Sequence, residues 1–292
     1  MTLATLADVL PAANRAKRAV PGLVCLGWED ASAYAQAGER EGAPIILQVG
    51  PGARAHMPLA VWGPMLRHLA GSIATPAVVH LDHGASLDEV REAIRAGFSS
   101  VMIDGSRLAF EDNVALTRSA VEIAHEAGVP CEGEIGFVGY ASGEREAVHS
   151  APTDPGEAAR FAEATGVDAL AVSVGNVHLK TEADAAIDWD ALRAIEARVG
   201  VPLVLHGASG IAPADRARIA RETSVAKFNV GTELRQVFGA ALRDTLGAHP
   251  ERFDRVSILR ETVAPLREAA REVIRSMDGA TSGPRDASER SA

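Results

Sequence analysis

The chain has 292 residues, of which 47% are hydrophobic and 23% charged, so it can bury a large core and is neither disordered nor fibrous. Its formal net charge of −10 argues against a surface that collects nucleic acid or anionic lipid. Both cysteines, Cys25 and Cys131, lie in apolar runs, which predicts buried free thiols in a reducing compartment. The sequence shows no apolar signal core and no run of membrane-spanning length, so we expect a cytoplasmic protein that binds neither nucleic acid nor membranes.

Short β-rich apolar runs alternate with amphipathic segments along the chain, a pattern typical of parallel strands joined by crossover helices. The segment after the third run shows the helical signals: Ser86 is a candidate N-cap and Gly97 a candidate stop. Eight such units predict an α/β fold of the (β/α)8 TIM-barrel type, with one domain over 1–277 and a disordered tail over 278–292. The eight runs are 22–26, 44–48, 77–81, 100–103, 130–135, 169–174, 202–206 and 226–230.

Polar residues are concentrated where these runs end. In a (β/α)8 barrel the active site forms at the carboxyl ends of the strands, so residues at those positions are expected to meet at one mouth. The residues concerned are Asp82 and His83 after the third run, Asp104 after the fourth, Glu134 in the fifth, Asn176 and His178 after the sixth, His206 at the end of the seventh and Asn229 in the eighth.

Three histidines at three different strand ends predict a metal site. His83, His178 and His206 could together form a three-nitrogen zinc site that leaves one position open for water or substrate. Each of them alone is better explained as a polar rim residue, but their joint placement favours the metal. Asp82 beside His83 is suited to proton transfer. His80 shares a strand face with Asp82 and is expected to pack beneath the site.

The two remaining carboxylates at the strand ends have open interpretations. Glu134 could orient a metal-binding imidazole, bind the ion itself, or be a solvated loop carboxylate. Asp104 could form a hydrogen bond across the barrel mouth or cap the turn at Gly105. We therefore assign Glu134 to the metal site as a candidate and give Asp104 a supporting role.

Two small-residue loops at neighbouring strand ends predict a phosphate site. In "LHGASGI", 205–211, backbone N–H groups of Gly207, Ala208, Ser209 and Gly210 can cradle a phosphate beside a helix start. In "NVGTELRQ", 229–236, Gly231 and Thr232 open the next helix. The loops after strands seven and eight are the common phosphate position in such barrels, although ordinary turn geometry would also explain each loop alone.

Six motifs occur together and in order: "HLDHG", "GFSSVMIDGS", "EGEIG", "SVGNVH", "LHGASGI" and "KFNVGTEL". In this set the chain, over residues 1–275, resembles the class II, metal-dependent fructose-bisphosphate aldolase family, and its length and Asp-His position are most similar to the tagatose-bisphosphate branch. The resemblance implies a Zn²⁺-dependent, reversible aldol cleavage of a ketose (bis)phosphate or related sugar to dihydroxyacetone phosphate, or a similar donor, and an aldehyde. It also implies a homodimer or homotetramer.

The same resemblance implies roles for individual residues. The zinc ligands would be His83, His178 and His206. Asp82 would transfer the proton at the C4 hydroxyl, and Asn229 would stabilise the enediolate. Gly207, Ser209 and Thr232 would contact the phosphate, and a monovalent cation, Na⁺ or K⁺, could lie near it.

Several substrate-side positions depart from the family pattern. The glycine that usually follows the sixth-strand histidine is Leu179, and Lys180 after it is our further candidate for the phosphate site. Gly50 in "LQVGPGA" stands where the family usually has a serine that touches substrate. The usual "FN" after the first strand is replaced by "GW", which places Trp28 and Glu29 at the barrel mouth.

The loop after the fifth strand also departs from the pattern, since "GYASGERE" places Ser142 where the family has a catalytic glutamate. Glu144, our candidate, or Glu146 could replace that acid, and a loop with solvated charges is the simpler interpretation of either. All of the departures spare the metal positions, which favours retained zinc chemistry on a substrate other than fructose 1,6-bisphosphate. Two alternatives remain: another zinc-barrel enzyme, an isomerase or hydrolase, and a non-catalytic sugar-binding relative.

Overall fold

The computed structural model describes residues 2–139, 141 and 149–278. Glu144, Glu146 and Ser142 lie outside the described residues, as does the predicted tail from 279 onward. Within the described part, the chain order of elements is β1 Leu3–Ala4, α1 Leu6–Arg15, β2 Val20–Val24, α2 Trp28–Glu41, β3 Ile45–Val49, α3 Pro51–His56, α4 Leu59–Ser72, β4 Ala77–Gly84, α5 Leu87–Ala96, β5 Ser100–Ile103, α6 Phe110–Glu126, β6 Cys131–Ile135, α7 Pro155–Thr165, β7 Ala169–Val172, α8 Trp189–Glu196, β8 Leu203–Leu205, a 3-10 turn Ala208–Gly210, α9 Pro213–Glu222, β9 Val225–Val230, α10 Thr232–Ala248 and α11 Arg255–Ser276.

The strands β2 to β9 close into an eight-stranded parallel barrel. Each pairs with the next along the chain, and β9 pairs back with β2, from Val20 opposite Lys227 to Leu23 opposite Val230. Helices lie between the strands, so the predicted (β/α)8 TIM barrel is confirmed. Each of the eight predicted runs overlaps one of these strands. None of the described helices combines the length and the apolar character needed to cross a membrane.

The amino-terminal end of the barrel is closed by the first segment of the chain. β1 pairs with the start of β4, Leu3 opposite Ala77, a short strand that no sequence pattern predicts. In α1 the buried Leu6 and Leu10 belong to one apolar cluster with inward residues of the barrel such as Val78. Thr5 caps α1 in a reciprocal pair with Asp8, which fixes where this plug begins. Any ligand site inside the barrel must therefore open at the opposite, carboxyl end.

Alternation along the strands arranges the barrel interior in layers. On β4, Val78 belongs to the inner apolar cluster, and His80 and Asp82 follow at two-residue steps toward the mouth. Outward residues of the same strand, such as Leu81, pack in a second cluster with helix residues including Trp62. The interior therefore changes from apolar at its closed end to polar at its open end, and it is this gradient that positions the site.

The last of the described residues return to the barrel. Asp278, the first residue of the predicted tail, pairs with Arg18 in an isolated antiparallel bridge, and their side chains form an ion pair of 3.0 Å. The single domain over 1–277 and the disorder of the remaining tail stay predictions.

Candidate active site

The carboxyl end of β4 carries the first two site residues, which are neighbours yet both reach the barrel mouth. His83 has a left-handed backbone, φ 49°, which costs on the order of 1–2 kcal/mol for a residue with a side chain. Arg54 of α3 holds this turn: it donates to the carbonyl oxygens of Asp82 at 2.8 Å and His83 at 2.5 Å, and it pairs with Glu89 at 3.1 Å. The bend overrides the strand alternation that would have turned His83 away from Asp82.

The structure brings the three predicted histidines together. Their ring centroids are 4.6 Å apart for His83 and His206, 5.3 Å for His83 and His178, and 5.8 Å for His178 and His206. One nitrogen from each ring lies within 4.8 Å of the others. The residues come from the end of β4, the loop after β7 and the end of β8, as the strand-end argument predicts.

Hydrogen bonds fix two of the rings. His83 Nδ1 lies 2.7 Å from Asp104 Oδ2, and His206 Nε2 lies 3.0 Å from Glu132 Oε1. The opposite nitrogen of His83, Nε2, is buried and finds no hydrogen-bond partner among the described residues, and the opposite nitrogen of His206, Nδ1, faces Glu134 Oε2 at 3.2 Å. In metal sites a carboxylate typically holds one nitrogen of a ligating imidazole while the other nitrogen faces the ion, and the positions of His83 and His206 fit a zinc ion in this way.

Glu134 lies inside this cluster. Its side chain is only 1% exposed, so the interpretation as a solvated loop carboxylate is wrong. Oε2 is 3.2 Å from His206 Nδ1 and 3.7 Å from His83 Nδ1, close enough for Glu134 either to orient the imidazoles or to bind the ion. Asp104 fills both roles considered for it, since its other oxygen accepts hydrogen bonds from the N–H and hydroxyl of Ser106 in the following turn.

The charges of the cluster set the protonation of its members. Burial alone would raise the pKa of Asp82, but the neighbouring imidazoles of His83 and His206 and the Lys227 ammonium hold it below its usual value. Burial would likewise lower the pKa of His206, yet Glu134 and Glu132 raise it to about 10. Asp82 is therefore an anion near neutral pH, and without a metal His206 carries a proton between two carboxylates.

A buried ionic network that the sequence analysis missed lies directly beneath the histidine cluster. Glu132 and Lys227 are both fully buried, and Lys227 Nζ donates to Glu132 Oε2 at 2.6 Å. Burial would raise the pKa of Glu132, but Lys227 and His206 hold it well below its usual value. Glu132 therefore stays an anion and fixes the His206 ring by accepting from Nε2.

His80 completes this lower layer. Its Nε2 lies 3.1 Å from Lys227 Nζ, and its Nδ1 lies 2.8 Å from Ser100 Oγ. Burial and the adjacent Lys227 lower the pKa of His80 to about 3, so it is neutral and accepts from the ammonium. The structure thus places His80 under the site, where strand alternation predicts it.

A cavity of about 400 Å³ opens above the cluster and contains most of the predicted substrate-side residues. Ala208 is an exception: it is fully buried, and its carbonyl accepts from Arg216. Lys180 differs from the prediction, since its ammonium pairs with Asp184 at 2.8 Å and it does not line this cavity. The lining includes Gln48, Gly50, Asp82, His83, His178, Leu179, Gly207, Ser209, Asn229, Gly231, Thr232 and Arg235.

The two predicted phosphate loops are joined to each other. Ser209 Oγ accepts from the N–H groups of Gly231 and Glu233, each at 3.3 Å. Gly207 has φ 62°, and a side-chain Cβ there would lie 2.3 Å from the Val177 carbonyl oxygen, so only glycine fits. The loops therefore form one rigid wall of the cavity at the start of α10, a position that favours an anion.

Two departures from the family pattern also lie on this cavity. Leu179 keeps a left-handed backbone, φ 57°, the conformation that glycine adopts most easily, and its side chain lines the cavity. A Cβ at Gly50 would lie 3.4 Å from Asp82 Oδ2, so the absence of a side chain leaves space beside the Asp82 carboxylate. Both changes alter the walls of the cavity without touching the histidine cluster.

A larger, more apolar cavity of about 700 Å³ lies next to the 400 Å³ cavity and shares Leu26 and Arg235 with it. Trp28 and Glu29 line this larger cavity and not the smaller one. The histidine cluster, however, lies at the smaller cavity. We therefore place the chemistry in the smaller cavity.

Fold and site together are those of a (β/α)8-barrel enzyme with a candidate metal centre at its mouth. A family model described as "Fructose-bisphosphate aldolase class-II" matches residues 4–281. The chain therefore belongs to the class II fructose-bisphosphate aldolase family and is an aldolase, a carbon–carbon lyase.

Individual relatives agree with this assignment. A curated fructose-bisphosphate aldolase of Staphylococcus aureus is 38% identical over 252 residues, covering 85% of this chain and 86% of that one. Among solved structures, the YdjI aldolase of Escherichia coli K12 superposes with a TM-score of 0.83 at 30% identity, covering 95% of this chain and 98% of that one. The fructose-bisphosphate aldolase of Campylobacter jejuni, at 19% identity and a TM-score of 0.77 over 94% of each chain, shares the fold.

Proposed function

We propose that this chain is a zinc-dependent aldolase that reversibly cleaves a phosphorylated ketose to dihydroxyacetone phosphate and an aldehyde. One observation carries the proposal: one ring nitrogen each of His83, His178 and His206 lies within 4.8 Å of the others, in the cavity that Asp82 also lines. The relatives, which are named fructose-bisphosphate aldolases, support a phosphorylated ketose as substrate. His83, His178 and His206 would hold the zinc, with Glu134 next to them.

Asp82 is the proton-transfer group in this proposal. Its Oδ1 accepts from Asn229 Nδ2 at 3.0 Å, which fixes the carboxylate in the cavity. In the cleavage direction Asp82 takes the proton of the substrate hydroxyl while the adjacent carbon–carbon bond breaks, and in condensation it returns that proton. Bound zinc would supply Lewis acidity that polarises the ketose carbonyl. Asn229 positions Asp82 directly, and its contact with the enediolate stays a prediction.

The donor phosphate fits the wall made by the two joined loops. Ser209, Gly231 and Thr232 line the cavity at the start of α10, where backbone N–H groups and the helix dipole favour an anion. A monovalent cation near the phosphate, the homodimer or homotetramer, the cytoplasmic location and the role of Glu144 remain predictions from the sequence.

The zinc-loaded protein should be assayed against fructose 1,6-bisphosphate, tagatose 1,6-bisphosphate, ketose 1-phosphates and unphosphorylated ketoses, with both fragments identified. We expect retro-aldol products from a phosphorylated ketose other than fructose 1,6-bisphosphate, because Leu179 occupies part of the cavity wall. In the variant Leu179→Gly, the phosphate can approach the backbone N–H at position 179. We therefore expect kcat/KM for fructose 1,6-bisphosphate to rise about tenfold, the effect of one added hydrogen bond to a charged group.

The matched control is Leu108→Gly, a leucine that is 50% exposed and lies away from the cavity, which should leave kcat/KM unchanged. Turnover that yields no pair of carbonyl fragments would overturn the aldol assignment. Preference of the unaltered protein for fructose 1,6-bisphosphate, with no gain in Leu179→Gly, would overturn the role given to Leu179.

Zinc binding should compete with protons at His206. Because Glu134 and Glu132 raise the pKa of His206 to about 10, the metal-free site holds a proton that zinc must displace. The folded-state pKa lies above neutrality, so raising the pH toward it makes displacement easier and strengthens binding. Between pH 6 and pH 8 the apparent zinc affinity should rise about tenfold per pH unit for each proton displaced. Competition with a chromophoric chelator measures this, and an affinity independent of pH would contradict it.

A further inference from the structure

Gln48, at the end of β3, is a fully buried amide that lines the catalytic cavity. Neither its Oε1 nor its Nε2 finds a hydrogen-bond partner in the part of the chain that the structure describes. Buried polar side chains are almost always satisfied, and an unsatisfied one destabilises the fold. Because the Gln48 amide lines a ligand cavity and has no such protein partner, we take its hydrogen-bond partner to be the ligand.

The backbone opposite makes room for this amide. A Cβ at Gly22 of β2 would lie 2.2 Å from Gln48 Oε1 and 2.7 Å from Asn229 Oδ1, so a side chain at position 22 would displace both. The two amides therefore meet above Gly22. Asn229 Oδ1 also lacks a partner among the described residues, while Asn229 Nδ2 donates to Asp82. Gln48, Asn229 and Asp82 thus form a row of polar groups on one side of the cavity.

The chemistry of this row selects a hydroxyl group. The Gln48 amide offers both a donor and an acceptor, and Asn229 Oδ1 offers a second acceptor. A hydroxyl group, which itself both donates and accepts a hydrogen bond, matches this set. A phosphate or carboxylate would need donors only, and the wall at the start of α10 supplies those. Because the row ends at Asp82, the hydroxyl bound by Gln48 and Asn229 would lie next to the substrate hydroxyl whose proton Asp82 transfers.

We propose that Gln48 is a substrate-binding residue that, with Asn229, holds a hydroxyl of the ketose carbon chain next to the reacting bond. The inference rests on the proposed function and extends it by naming a selectivity for polyhydroxylated chains. A site that hydrogen-bonds a substrate hydroxyl discriminates strongly against an analogue that lacks it, because its buried polar groups are then left without partners.

The test compares the zinc-loaded wild type with Gln48→Met, which keeps the length of the side chain and removes its polar atoms. The substrates are the preferred ketose phosphate and its monodeoxy analogues, each lacking one chain hydroxyl. We expect kcat/KM for the parent ketose to fall about 10- to 100-fold in Gln48→Met, but to stay within about twofold for the analogue that lacks the bound hydroxyl. The thermal midpoint should be equal or higher, because an unsatisfied buried amide has been removed.

The matched control is Ser224→Ala, which removes another buried polar atom without a partner among the described residues, away from the cavity. It should leave kcat/KM unchanged. An unaltered kcat/KM in Gln48→Met, or an equal loss for the parent and every monodeoxy analogue, would overturn the inference while leaving the proposed function standing.

If the wild type cleaves none of the ketoses, the proposed function fails separately, and the role of Gln48 is then tested by calorimetric binding of the ketose phosphates of the panel, the tightest of which is taken as the parent and compared with its monodeoxy analogues. Weaker binding of the parent alone to Gln48→Met supports the role of Gln48. Equal binding of the parent to wild type and variant, or absence of binding to the wild type, rejects it.

Discussion

Replacing Asp82 by asparagine should lower kcat by about 10²- to 10⁴-fold, the usual contribution of a positioned general acid or base. The new amide keeps the size of the side chain and an oxygen that can accept from Asn229, so the cavity should keep its shape. It cannot take up the proton of a substrate hydroxyl. Asp82 is not among the candidate zinc ligands, so the zinc content should not change. The loss should therefore appear in kcat and not in metal binding.

Two further variants separate this chemistry from structural effects. Asp88→Asn, on an α5 side chain that is 93% exposed, should leave kcat unchanged. Asp104→Asn weakens the hydrogen bond that orients His83, so it should lower zinc affinity while kcat recovers largely when zinc is in excess. Steady-state kinetics and metal analysis of the purified variants give both readouts. An Asp82→Asn enzyme with wild-type kcat, or one whose defect is cured by added zinc, would refute the assignment.

The barrel and the mouth of the site follow from the sequence because both depend on short-range patterns. Parallel strands buried on both faces read as apolar runs, and the residue that ends such a run lies at the carboxyl edge of the barrel. Asp82, His178 and His206 are predicted on this basis, and the structure brings them to one mouth. Every strand end reaches the same rim, so the prediction does not depend on which strands are neighbours.

The lower ionic layer was missed, although the sequence carried a signal for it. Glu132 precedes Glu134 by two residues, and Lys227 precedes Asn229 by two, the same spacing that placed His80 under Asp82. Charged residues at inward positions of central strands are rare unless they are paired. An acidic residue on one strand and a basic one on another, at the same depth, would have predicted the contact between Glu132 and Lys227.

Other features depend on contacts that no local pattern reports. The left-handed turn at His83 is held by Arg54, 29 positions earlier in the chain, and nothing around Arg54 marks it as a partner of that turn. The unsatisfied amide of Gln48 is equally invisible, because the space it occupies is made by Gly22 on a neighbouring strand. By contrast, Lys180 and Asp184 are close in the chain, so an ion pair between them could have been weighed against a phosphate role.

Replacing Lys227 by methionine should lower the free energy of unfolding by about 3–5 kcal/mol, because it removes the ammonium that is the strongest charge partner of the buried Glu132 carboxylate. The side chains are similar in length, so packing contributes little to the loss. Without the lysine, the cost of burying the Glu132 charge is relieved only if Glu132 takes up a proton. Protonation would also remove the anion that fixes His206 Nε2. The variant should therefore lose zinc affinity together with stability. Denaturant unfolding at pH 7 measures the first effect and chelator competition the second.

The double variant Glu132→Gln with Lys227→Met distinguishes a paired charge from lost packing. Removing both charges takes away the uncompensated ion, so most of the stability lost in Lys227→Met should return, and the two single effects should not add. Lys17→Met, at an exposed position, controls for the change of residue type. Zinc affinity should stay reduced in the double variant, because a neutral amide orients His206 less strongly than a carboxylate does. If the two single effects on the free energy of unfolding simply add in the double variant, Glu132 and Lys227 are not coupled.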